Sequence, residues 1–339
     1  MKTIVNNITY PVFAPLTLIP HRHGQSFYSG MKAPSKLLLA LTAVAALSLA
    51  HPASADQPNF CQQTSQAALT SCRAGAHSDY WLALGKCDNV ADPVGRDSCR
   101  SQASVALQDA LQTCSAQYDA RQAACNRLGG APYDPVIDPS NFVPQVDNPY
   151  FPLPPGTTFV YESHIGQHLQ QNPVSVTHNT RVIDGVTCVE VHDTVMMDGQ
   201  LTEDTLDWFA QDRDGNVWYF GENTHELANG LITTIAGSFM AGVNNDKPGI
   251  IMEAHPAIGD FYRQEFSLNN AEDLAEIVSL TETVTVPVGT FHHCLKSKET
   301  ESLDPNALEY KFYAPGVGNV LVIDARTGQR TELVQIRHQ

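Results

Sequence analysis

The residues of this chain best suited to chemistry are carboxylates. Glu203, Asp204 and Asp207 fall in one run of alternating character. On a strand, Glu203, Thr205 and Asp207 share a face, opposite Leu206, Trp208 and Ala210. If the apolar face is the core, the carboxylates are solvated. If a barrel encloses a polar interior, they point inward and meet Arg263, Glu265, Glu309 and Lys311. Paired carboxylates in such a pocket can exchange protons or hold a cation. Asp207, Arg263 and Glu265 are therefore the candidate catalytic residues.

Other motifs carry less chemistry. Asp212, Asp214 and Asn216 have the D-x-D-G-N form of a calcium loop and are the candidate metal ligands. A complete loop needs a bidentate glutamate at its twelfth position, which here is Asn223. A tight turn between two strands explains the same residues, so no metal site is expected. His292 and His293 are adjacent and would point to opposite faces of a strand, which prevents them from sharing one ion. HExxH, G-x-S-x-G and phosphate-cradling glycine motifs are all absent, and no cofactor is expected. Trp208, Trp218, Tyr219, Tyr262 and Tyr310 are candidate ligand-contacting aromatics that could equally serve as core.

The elements that must position these groups follow from punctuation and periodicity. Six cysteines at 61, 72, 87, 99, 114 and 125 are separated by 11, 15, 12, 15 and 11 residues, a spacing that reads the same in both directions. Two antiparallel helices about a turn near Pro93 produce such symmetry. Steps of 11 and 15 residues advance a helix by a net rotation of about 20° and about 60°, so the three cysteines of each helix face the partner. Ala67, Ala68, Ala76, Ala103, Ala106, Ala110, Ala123 and Ala124 permit the close approach that disulfides require. The expected bridges are Cys61–Cys125, Cys72–Cys114 and Cys87–Cys99, with Asp97 or Ser98 capping the second helix and Gly129-Gly130 ending it. A metal–thiolate bundle is the rival reading where thiols stay reduced. The arrangement resembles twin CX9C helical hairpins in architecture, although the spacing here is CX10C and a third pair is added at the tip.

Residues 31–55 read as a secretory signal: Lys32 and Lys36, the apolar run Leu37 to Ala50, then Ala53-Ser54-Ala55 with cleavage after Ala55. Residues 1–30 precede what should be the start and suggest that translation begins at Met31. The mature chain is expected in the periplasm or outside the cell, without a membrane span once the signal is removed. Oxidised cysteines suit that compartment. The chain divides into a Cys-rich helical hairpin at 56–130, a Pro-rich linker at 131–156 and an antiparallel β-domain at 157–339. In the linker, the apolar residues of NPYFPLPPG favour docking of its last part.

Beyond Gly156 the period becomes two. Runs beginning at Thr157, Val174, Val186, Val217, Phe261, Thr283, Glu309 and Val320 read as strands, about ten in all across the domain. Asp184-Gly185, Asp198-Gly199 and Asp214-Gly215-Asn216 sit where tight turns belong. Residues 236–260 read as an irregular insertion that could cover a cavity, and 271–276 as a short helix. Cys188 and Cys294 remain for a disulfide between neighbouring strands. The fold class is thus α+β: a stapled α-hairpin followed by a curved antiparallel sheet or barrel.

The pieces DWFAQDRDGNVWYFGENT (207–224), PGIIM (248–252), GDFYRQEF (259–266), EDLAEIV (272–278), VPVGTF (286–291) and YKFYAPGVG (310–318) resemble, in this order, a widespread exported bacterial β-domain. The resemblance covers residues 148–338 and omits the hairpin. In outline that domain is similar to LolA-type half-barrels and lipocalin-like barrels, which implies a concave sheet but not a function.

Composition narrows the partners. The 36 acidic residues outnumber 20 Lys and Arg, for a formal net charge of −16, and no acid precedes Asp56. Such a surface repels nucleic acid and favours cations or basic protein surfaces. Three readings follow. The first is an exported binding or carrier protein holding a small apolar or amphipathic ligand in the concavity. The second is an enzyme built on Asp207, Arg263 and Glu265. The third is an extracellular interaction module that uses the hairpin.

Overall fold

The computed structural model describes residues 59–338, so the secretory signal and the start at Met31 lie outside the described residues. Helix α1 (Phe60–Asp88) is capped by the side chain of Asn59. Helix α2 (Pro93–Leu128) follows with Pro93 in its first turn, Asp92 as its cap and Gly129 at its end. The second helix therefore starts earlier than Asp97. Asp92 accepts from Gly95 N at 2.7 Å, and proline needs no amide partner at that position. The three expected bridges form, with Cα separations of 5.6 Å for Cys61–Cys125, 5.7 Å for Cys72–Cys114 and 5.5 Å for Cys87–Cys99. Phe60 N donates to Gly130 O at 2.8 Å and ties the open end of the hairpin. No helix among the described residues is long and apolar enough to cross a membrane.

The remaining elements are strands: β1 (Phe142–Val143), β2 (Thr157–Ile165), β3 (His168–Ile183), β4 (Val186–Met197), β5 (Gln200–Asp212) and β6 (Val217–Ala228). Next come β7 (Leu231–Thr234), β8 (Phe239–Met240), β9 (Lys247–Met252), β10 (Phe261–Arg263) and β11 (Glu265–Phe266). The last are β12 (Asp273–Val286), β13 (Gly289–Glu301), β14 (Leu308–Ala314), β15 (Gly318–Asp324) and β16 (Arg330–His338). They form one antiparallel sheet in the order β10-β12-β13-β14-β15-β16-β2-β3-β4-β5-β6-β9-β11, with β1, β7 and β8 as short additions. The β3–β4 and β4–β5 turns place Asp184-Gly185 and Asp198-Gly199 at positive φ, which matches the right-handed strand twist.

The sheet nearly closes into a barrel, and one short segment joins its two edges. Residues 261–263 pair with β12, residues 265–266 pair with β9, and Gln264 N between them donates to Asp273 O at 2.9 Å. Residues 236–260 are therefore wall, not a cover: β8 pairs with β6, and β9 bridges β6 and β11. The stretch 271–276 is not helical. Ala271 bridges Ser267, and β12 starts at Asp273, because closing the sheet needs this backbone as a partner for β10 and β13.

The hairpin packs along this seam. Arg121 makes a buried bidentate pair with Glu272, both contacts at 2.8 Å. Arg127 pairs with Glu276 at 2.8 Å and lies 3.9 Å over the Phe261 ring. The linker docks as well: Val146 and Leu153 enter the core, and the Tyr133 hydroxyl donates to Pro248 O at 2.9 Å.

Cys188 and Cys294 are free and fully buried, which corrects the expected fourth bridge. Strands β14, β15, β16, β2 and β3 lie between the two strands that carry them. Cys188 belongs to an outer apolar cluster and Cys294 to the main core. Each thiol behaves as a small apolar group.

Candidate functional site

Both faces of β5 are buried, and this decides which groups enter the barrel. Trp208 and Ala210 join Ile183, Val186, Cys188, Phe220 and Ala241 in the outer cluster, covered by Ile137 and Phe142 of the linker. The opposite face carries Thr205, Asp207 and Phe209 inward, all buried. Phe209 stacks on Tyr219 with ring centroids 4.7 Å apart and belongs to the main core. Glu203, Thr205 and Asp207 continue from it toward the end of the barrel that holds the β2–β3 and β4–β5 turns.

That half of the lumen is polar. Asp207 and Glu222 are directly opposite in register, and the Tyr219 hydroxyl lies 2.5 Å from Asp207 Oδ1 and 3.1 Å from Glu222 Oε2. The Asn172 amide donates to Asp193, and Thr205 Oγ1 donates to Glu203 at 3.1 Å. Across the lumen, Lys311 Nζ lies 2.7 Å from Glu299 and 3.9 Å from Glu309. Ser297 and Tyr313 add hydroxyl donors to Glu299 at 2.7 and 3.1 Å. Between Tyr219, Glu222, Glu265 and Lys311 there is a cavity of about 20 Å³, the size of one water molecule or one –NH3+ group.

Burial shapes the protonation of these groups. It raises Glu203 to about 8, helped by Asp193, and Asp193 to about 6, helped by Asp207. Burial also lifts Glu309 to about 7 against the pull of Lys311. Glu299 is equally buried, but Lys311 and the Ser297 hydroxyl outweigh that and hold it below the usual carboxylate range. Burial disfavours the Lys311 charge, yet Glu299 and Glu309 raise its pKa overall.

The raised groups make stability depend on pH. Asp193, Glu203 and Glu309 favour the proton more in the fold than in the unfolded chain. Their contribution is complete below pH ~4 and is lost as pH rises through their folded values. Carboxylates held low, such as Glu299 and Glu276, weaken the fold only at more acidic pH. Stability should therefore be greatest near pH ~5 and fall by several kcal/mol, about 7 if the three groups act independently, by pH ~8. Thermal melts at constant ionic strength will measure this. A melting temperature that climbs over the same interval contradicts the assignment.

The residues singled out from sequence divide between the two sides of the wall. Asp207 and Glu265 both act on Tyr219 from the lumen. Arg263 does not join them: it points to the hairpin, 4.4 Å over the Phe266 ring and 3.8 Å from Cys61 Sγ. Alternation along 263–265, interrupted at Gln264 where the segment changes partners, sends it outward. Lys311 is the lumen cation instead. Tyr219 and Tyr262 face the interior core, whereas Trp208 and Trp218 pack on the outer cluster and Tyr310 lies outside beneath Lys296 Nζ at 4.0 Å. Asp212 organises the β5–β6 turn, accepting from Asn216 N at 2.8 Å, Asn216 Nδ2 at 2.9 Å and Trp218 Nε1 at 2.9 Å. With Asp212 so engaged, it and Asp214 and Asn216 form a turn. Among the described residues, no group of three His, Cys, Asp or Glu side chains is arranged to hold a metal.

Asp193, Glu222 and Glu299 escaped the sequence reading. Asp193 interrupts the apolar face Val189-Val191-Val195, and Glu299 continues the face of Leu295 and Ser297, so both left a periodic signal. Glu222 left none. The register shift between Trp208 and Phe209 inverts the phase of β6 after Tyr219.

No family model and no curated protein matches this chain, so the motif resemblance to an exported bacterial β-domain has no support from that side. Among solved structures, the chain is similar to a candidate lipoprotein from Parabacteroides distasonis ATCC 8503, at 15% identity and a TM-score of 0.32. The match covers 56% of this chain and 98% of the other.

Proposed function

We propose that the protein is an exported binding protein that holds its ligand in the barrel lumen, with the ligand's polar part at the carboxylate-lined end. One observation carries this reading: Asp193, Asp207, Glu222 and Glu265 are buried side by side on the inside of the wall. Burying carboxyl groups is unfavourable, and a barrel under selection for stability alone would place apolar side chains there. A cluster of buried carboxyls facing one interior, with Asp193 among them raised by burial, is the kind of place where functional sites are sought.

The ligand class shifts from the one expected. The apolar half is already filled by Phe159, Val176, Val189 and Phe209, so a wholly apolar molecule would have to displace them. A polar or amphipathic ligand fits the remaining half. The enzyme reading loses its third member, because Arg263 lies on the hairpin side. Three disulfides support export to an oxidising compartment.

Native mass spectrometry of the protein purified without denaturation tests the proposal. A bound small molecule, released when the protein is denatured, is the expected result. A bare-chain mass, together with no thermal shift across a panel of polar and amphipathic small molecules, overturns it.

A further inference from the structure

We propose that the β15–β16 turn, residues 325–329, is a lid over the polar end of the lumen, latched by the Gln329 amide on Ser163, and that ligand enters and leaves beneath it. This inference rests on the lumen being the binding site.

The two ends of the barrel are closed in different ways. At the end away from the acids the linker is built into the wall. Val146 and Leu153 join the core, and the buried Asn148 side chain donates to Gly215 O at 2.9 Å and to Glu253 O at 3.0 Å. Asn148 N donates to Gln211 Oε1 at 2.8 Å, and Pro149 O accepts from Gly316 N at 2.7 Å. Opening this end breaks all of these contacts together. At the acid-lined end the closure is slighter. The β15–β16 turn reaches β2 through a 2.7 Å hydrogen bond from Gln329 Nε2 to Ser163 Oγ. Ser163 shares the inner face of β2 with Phe159 and Tyr161 of the core, and Gln170 stands directly opposite it on β3. Ser163 and Gln170 are 2% and 1% exposed, so the floor beneath this bond is shut off from solvent.

Three features make the turn a lid. First, it keeps its shape by itself. Asp324 Oδ1 accepts from Arg326 N at 2.9 Å and from Thr327 N at 2.7 Å, while Gly328 N donates to Asp324 O at 2.8 Å. Residues 325–328 are exposed, and Ala325 N holds the turn to Leu308 O at 2.9 Å on the β14 side. Second, the latch on the β2 side is a neutral pair, whose net contribution to a fold is small. Third, Gln170 beneath it makes no hydrogen bond through either Oε1 or Nε2. A buried amide without partners is costly, and lifting the turn offers it water or the polar part of a ligand. The closed state gains one weak bond and bears one unmet amide, a balance that keeps local opening within thermal reach.

Alkylation of an introduced thiol tests the lid without any ligand. The full protein carrying Gln170→Cys, its three bridges confirmed by non-reducing peptide mapping, is treated with iodoacetamide. Labelling of position 170 and of Cys294 is followed by peptide mass spectrometry. Cys294 is fully buried in the main core, so its rate reports global unfolding. Position 170 should label at least about tenfold faster than Cys294. Adding Gln329→Ala should raise the rate at 170 about tenfold further, the change expected from one lost hydrogen bond, and leave Cys294 unmoved. Arg326→Ala, on the exposed side of the same turn, should change neither rate. Equal rates at the two positions overturn the inference, and so does an unchanged rate at 170 once Gln329 is removed. Acceleration of both positions together, or by Arg326→Ala as much as by Gln329→Ala, marks general loosening and overturns it as well. None of these outcomes depends on a bound molecule, so native mass spectrometry decides the lumen reading separately.

Discussion

A protein carrying Gly249→Ala should fail to close its barrel. Gly249 lies on β9 where the backbone passes directly against the strand-switching segment. A Cβ there would sit 2.3 Å from the Gln264 carbonyl carbon, 2.5 Å from its oxygen and 2.6 Å from the Arg263 oxygen. All three are backbone atoms of the seam, so no side-chain rotation relieves the overlap. Either β9 leaves β6 or residues 261–266 lose one of their two partners. We expect a loss of at least ~3 kcal/mol, a large drop in melting temperature and much insoluble product. Gly75→Ala is the matched control: it is helical with no atom near the added methyl, and it should stabilise the hairpin by about 1 kcal/mol. If the two variants melt alike, the close crossing at the seam is wrong.

Arg121→Ala should be nearly as damaging, through charge instead of volume. The side chains of Arg121 and Glu272 are 5% and 1% exposed, and the guanidinium meets both carboxylate oxygens. Removing it leaves Glu272 buried, with the Asn269 amide at 2.6 Å among its remaining donors. Breaking one side of such a pair costs about 3–5 kcal/mol. The hairpin should keep its helicity, held by its own bridges, while hydrogen exchange accelerates across residues 261–276. The double change Arg121→Met with Glu272→Leu should recover most of the stability, because no lone charge remains. A single-variant loss below about 1 kcal/mol in urea unfolding overturns the docking role.

The hairpin was the most legible part of the chain because its information is one-dimensional. Palindromic cysteine spacing and alanine at the contact positions leave little freedom in how two helices pair. The strands were legible where alternation ran unbroken, as at 157–162 and 186–191. Residues 247–252 were hidden, since Pro248 and Gly249 read as loop punctuation although both are needed where backbones cross. AEDLAEIV carries a helix-like spacing that the demands of sheet closure override. Cys188 and Cys294 showed strand character but not strand order, and only the order separates them.

The site was half legible for a related reason. Alternation placed Glu203, Thr205 and Asp207 together and opposite Trp208, and this holds. It could not say which side was inside, because docking of Ile137 and Phe142 buries the outer side too. Arg263 misled because its distance from Glu265 matches an alternating strand, whereas the chain changes partners at Gln264.

The nested staples also dictate an order of events. The bridges close loops of 12, 42 and 64 residues, so the hairpin can zip from its tip downward, each closure shortening the search for the next. The barrel has no comparable shortcut, since β16 must return to β2 across most of the domain before the wall is continuous. Until then Cys188 and Cys294 are exposed, and an external oxidant could join either of them to any other free thiol. A hairpin that completes its own oxidation early withdraws its six cysteines from such pairings and leaves these two thiols only each other, until the five intervening strands hold them apart.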